Sequence, residues 1–152
     1  MTQDFKDSVQ ALWQCADLGG PNFAMDGSTS LLFDDVPLTL SNSDNERALI
    51  VHTDLGELPL DAAGDADRLQ KILGIGLALL STHNVLVSLR GDRLTVSGIY
   101  SYASDDFGAL ASILSDVVSA AQTMQGQIGK DATLISPRTT QVALDDTMIF
   151  KP

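Results

Sequence analysis

The chain has 152 residues and a formal net charge of −11, from 20 acidic against nine basic side chains. That balance excludes a phosphate-backbone partner, which needs Lys and Arg to displace counterions, and a polybasic membrane contact. At 44% hydrophobic residues it is too apolar for a disordered acidic tail and fits one domain with a core.

The acidic charge is almost entirely aspartate, with Glu46 and Glu57 the only glutamates. Aspartate is poor inside helices and good at caps and turns, so many of these carboxylates belong at element ends. The start lacks a secretory signal pattern. The run Ile72–Leu80 is too short for a membrane helix, and no membrane insertion is expected. Cys15 is the only cysteine, which excludes an internal disulfide and fits a reducing cytoplasm.

In chain order, Asp4–Leu18 reads as a first helix, with Phe5, Val9, Leu12, Trp13 and Ala16 on one face and Gly19-Gly20-Pro21 as its stop. From Ser28 the period shortens to two. Leu31 and Phe33 define a first strand, Asp34-Asp35 a turn, Leu38 and Leu40 a second strand, and Asn42–Asn45 another turn. Ala48–Thr53 is a third strand, and short connections imply an antiparallel meander.

Asp65 and Asp67 introduce a second helix running to about Thr82. Its main stripe is read as Leu69, Ile72, Leu73, Leu77 and Leu80, widened by Ile75 and Leu79, so it needs cover on more than one side. Gly74 and Gly76 are costly there and imply close approach of another backbone, or a bend. Asn84–Leu89 and Arg93–Tyr100 form a hairpin through Gly91-Asp92. Asp105-Asp106 caps a third helix with Phe107, Leu110, Leu114, Val117, Val118, Ala121 and Met124 on one face. The predicted fold is α+β, in the order α-β-β-β-α-β-β-α, with a twisted five-stranded antiparallel sheet packed with helices. Residues 1–128 form one domain, and 129–152 a partly flexible tail.

Catalytic and metal motifs are lacking. Asp61, Asp65 and Asp67 lack the glycine and the twelfth-position Glu of a calcium loop. His52 and His83 have no zinc-ligand spacing, and there is no nucleophile elbow or Walker loop. Arg90-Gly91-Asp92 reads as turn chemistry. No enzyme activity, cofactor or metal is expected.

The strings Leu31–Leu40, Leu49–Pro59, the leucine-rich second helix, Asn84–Gly91 and Leu134–Arg138 resemble the class I type III secretion chaperones, the CesT-like (Tir chaperone) family. The resemblance covers roughly residues 4–127 and rests on the combination of degenerate apolar spacings. It implies a non-catalytic, bacterial, cytoplasmic homodimer that holds the amino-terminal segment of a secreted effector partly extended. A secretion-apparatus ATPase or sorting component is a further implied partner.

Open sheet edges and exposed apolar patches would serve the same purpose physically. The candidate effector contacts are Phe5, Leu12, Trp13, Leu31, Phe33, Leu38 and Leu40, with core packing the alternative for each. The candidate dimer interface is Ile72, Leu73, Gly76, Leu80, Val85 and Val87. The rival readings are a regulatory adaptor of the same fold and a small-ligand-binding or hydrolytic domain.

Overall fold

The structure, a computed structural model, describes residues 3–57, 65–104 and 106–130. Three helices, α1 (Gln3–Cys15), α2 (Asp65–His83) and α3 (Phe107–Lys130), accompany five strands. These are β1 (Thr29–Phe33), β2 (Val36–Asn42), β3 (Ala48–Glu57), β4 (Leu86–Arg90) and β5 (Arg93–Ser101). The strands form one antiparallel sheet in the order β1-β2-β3-β5-β4, so β1 and β4 are its edges. This is the α+β fold and element order expected. Helix α3 takes in residues 129 and 130 of the expected 129–152 tail; Asp61 and residues 131–152 lie outside the described residues.

Aspartate and asparagine account for four of the five non-glycine residues with positive φ among the described residues. Asp34 and Asp35 have φ of 48° and 64°, the type I′ geometry of a two-residue hairpin closed by Phe33 opposite Val36. Helix α1 ends at Cys15, earlier than the expected Leu18, because Asp17 turns left-handed at φ 54°. The Asp17 N–H then donates to the Gln14 carbonyl and the Leu18 N–H to that of Trp13, a Schellman closure. Asn84, at φ 54°, closes α2 and delays β4 to Leu86. At the other hairpin only Gly91 has positive φ, 63°, as a type II′ turn requires. Asp106 caps α3 through a 2.9 Å bond accepted from Gly108 N–H, while Asp105 lies outside the described residues.

One sheet face is covered. Leu38, Leu40, Leu49, Val51, Leu94, Val96 and Tyr100 pack with Phe5, Val9, Leu12 and Trp13 of α1 and with Leu110, Leu114, Val117, Ala121 and Met124 of α3. Helix α3 lies so close to β5 that a Cβ on Gly98 would sit 2.6 Å from Ile113 Cγ2. Residues Phe107–Gly126 are long and apolar enough to cross a bilayer, with mean hydropathy 1.2. Their buried face against the sheet makes them the core helix of this domain.

The sheet splits at its centre. In a two-residue hairpin the closing pair exchanges both backbone bonds, so alternation turns the backbone of Pro37 and Thr39 toward β3. Thr39 opposite His52 is the last β2–β3 pair. Pro37 would come next, opposite Asp54, and has no N–H to give. Beyond it β3 continues with β5 alone, past the expected end at Thr53, through a bulge between Asp54 and Gly56. The Asp54 carboxylate accepts the Gly56 N–H at 2.8 Å and the Arg93 Nε–H at 2.7 Å.

Candidate partner-binding and self-association surfaces

Helix α2 presents a face different from the expected one. Ile72, Gly76 and Leu79 are buried, whereas Leu73, Leu77 and Leu80 are 56%, 70% and 42% exposed. The cause is Gly76, where an added Cβ would stand 3.0 Å from Val87 Cβ. That approach turns the 72–76–79 side onto β4 and sends the leucines at 73, 77 and 80 outward, three and four residues apart. Gly74 has nothing within 4 Å of an added Cβ, so close approach explains Gly76 alone.

The expected dimer residues therefore divide. Leu73 and Leu80 are on the outward stripe. Ile72, Gly76 and Val85 are buried, and Val87 is half-buried against the core. Leu77 completes the stripe; Leu86, half-exposed on edge strand β4, points to the opposite side of the sheet from Val87.

The expected effector contacts divide in the same way. Phe5, Leu12, Trp13, Leu38 and Leu40 are core residues and present almost no surface. Alternation along β2 points Leu38 and Leu40 under the helices, and Phe5, Leu12 and Trp13 form the face that α1 lays on them, a choice of side that the sequence pattern alone could not make. Leu31 and Phe33 are half-buried at the edge strand β1. Phe23 bridges Thr29 at the start of that strand; beyond it, no strand lies outside β1 among the described residues.

The other sheet face carries no helix among the described residues. Across it run the rows Ser41–Ile50–Ile99 and Thr39–His52–Ser97–Leu86. All of these except Thr39 line, with Asp54, Ser88, Arg90 and Thr95, a concavity of about 640 Å³. Hydroxyls dominate it, and Ser88 and Thr95 share a 2.8 Å hydrogen bond. Its one strand carboxylate, Asp54, is paired with Arg93 at 2.6 Å. Burial holds the His52 imidazole below its ordinary range; Arg90 adds to this and Asp54 opposes it. Ile99 is 60% exposed here, and Leu32 of β1 points outward on the same side. Ile50, Leu86 and Ile99 escaped sequence reasoning because alternation identifies two faces without saying which one the helices cover.

A second concavity, about 440 Å³, lies between the α1–β1 loop and the β2–β3 turn and includes Asp26, Asp44 and Glu46. No cluster of metal-ligating side chains occurs among the described residues.

The fold and these surfaces define a class: an α+β domain covered by helices on one sheet face, with an open second face and an outward leucine stripe. The chain belongs to the Tir chaperone protein (CesT) family, whose model matches residues 10–125. Solved structures share the fold. One is the HopA1–SchA chaperone–effector complex, with TM-score 0.65 and 13% identity over 81% of this chain and 94% of that one. The ExsC–ExsE complex gives TM-score 0.64 and 14% identity, covering 82% and 93%. The Yersinia pestis type III secretion chaperone SycH, in complex with a stable fragment of YscM2, gives 0.59 and 16%, covering 79% and 98%. No curated protein sequence matches the chain.

Proposed function

We propose that this chain is a bacterial, cytoplasmic type III secretion chaperone without catalytic activity. As a homodimer it holds the amino-terminal segment of a secreted effector partly extended, and so promotes its secretion. Family membership over residues 10–125 carries the reading, and the exposed apolar surfaces supply its physics. The effector segment runs along edge strand β1 beside Leu31 and Phe33 and over the open sheet face. Backbone pairing gives it affinity, and side-chain sites give it specificity. The second copy covers Leu73, Leu77 and Leu80 of α2, an apolar stripe that a twofold contact would double. Delivery to a secretion-apparatus ATPase or sorting component is part of the same reading.

The test is co-expression with the amino-terminal region of each candidate secreted effector of the same organism. A stable, soluble complex that copurifies is the expected result. Failure to copurify with any secreted protein of the same organism overturns the proposal.

A further inference from the structure

In an acidic chain, the open sheet face is close to electrically neutral. Asp54 is matched by Arg93, and the rest of the strand surface is mainly Ser, Thr, Ile and Leu, with Arg90 at the margin. His52 sits near its middle, half-buried, with Thr39 on β2 and Ser97 on β5 as its cross-strand neighbours. The charged groups lining the same concavity are Arg90 from β4, Asp54 from β3 and Asp44 from the β2–β3 turn. Of all these, only His52 gains a charge on mild acidification from neutral pH.

We propose that His52 makes partner binding on the open sheet face sensitive to pH, with protonation weakening the complex. The inference rests on the reading that an effector segment covers this face. A segment laid over His52 removes water from an imidazole already partly desolvated, and Arg90 opposes a second positive charge beside it. Desolvation favours the neutral ring, so its pKa is lower in the complex than in the free protein. By linkage, affinity is full above the free-state pKa and falls as the pH drops through it toward the bound-state value. A further one-unit shift on covering corresponds to about a tenfold loss once both values are passed.

The experiment measures binding of the same amino-terminal segment from about pH 7.5 to about pH 5.5, for the unaltered protein, His52→Gln and His83→Gln. His83 lies 3.6 Å from Asp116, between α2 and α3, and serves as the control. The unaltered protein and His83→Gln should both lose affinity, by about two- to fivefold more than His52→Gln over this range. Superimposable profiles for the unaltered protein and His52→Gln overturn the inference while leaving the chaperone reading intact. Absence of binding at every pH overturns the chaperone reading and the inference with it. An NMR titration of the His52 ring, free and bound, gives a mutation-independent check: a ring pKa unchanged or raised in the complex also overturns it.

Discussion

Gly76 of α2 lies against Val87 of β4 so closely that an added Cβ would stand 3.0 Å from the Val87 Cβ. Val87 Cβ is fixed to the strand backbone, so making room requires α2 or β4 to move. Two glycines two residues apart on one helix therefore have opposite meanings. Gly74→Ala should raise stability by up to ~1 kcal/mol, because it gains helix propensity and meets nothing. Gly76→Ala should give no gain or a loss, and pairing it with Val87→Ala should not rescue it, because alanine keeps the Cβ that the new methyl group meets. Chemical denaturation of the single and double variants checks this.

The outward stripe gives a second prediction. Leu73→Asp with Leu77→Asp should convert a species of twice 16.1 kDa into a monomer, with helix content retained. Sedimentation at micromolar concentration measures it. Leu31→Asp with Phe33→Asp should abolish effector binding and leave the dimer. A folded double variant that still binds would displace the proposed surface from β1.

Left-handed aspartates give a third. Asp35 holds φ 64° and Asp17 holds φ 54°, a region that disfavours side chains bearing a Cβ. Asp35→Gly and Asp17→Gly should each stabilise the fold by up to ~1 kcal/mol and remove one negative charge. Thermal melts at matched ionic strength read the effect.

Asp54 gives a fourth. Its carboxylate serves both the orphaned Gly56 N–H beyond Pro37 and Arg93. Asp54→Ala should cost about 1 kcal/mol or more, and more than Arg93→Ala, which removes partly exposed ion pairs with Asp54 and Glu57 but leaves the Gly56 N–H its acceptor. Urea denaturation of the two variants ranks them.

The fifth concerns pH without any partner. The His52 ring is held below its ordinary value of 6.5 in the folded chain, so the unfolded chain binds its proton first. The stability contributed by keeping the ring neutral is present above about 6.5 and is lost as the pH falls toward the folded-state value. His52→Gln should flatten that part of the stability profile. Equal slopes for both proteins below neutral pH would show that His52 contributes nothing to it.

Much of the chain's organisation was legible from period and punctuation. Two-residue alternation located the strands, the leucine spacing located α2, and Asp34-Asp35, Gly91-Asp92 and Asp106 marked ends that the structure bears out. Those features are local, decided by backbone sterics and capping within a few residues.

Which side of each element the core would take was a different matter. Leu38 and Leu40 could have faced a partner, and Leu73 and Leu80 could have been core, on the same pattern. Alternation is symmetric between the two faces of a sheet, and α2 is apolar around much of its girth. The choice was made by contacts distant in sequence: Gly98 under Ile113, Gly76 against Val87, and Pro37 ending the β2–β3 ladder. The sequence by itself determined the elements, their order and the family resemblance. Only tertiary packing decided which apolar residues were left exposed, because burial depends on which faces meet in space.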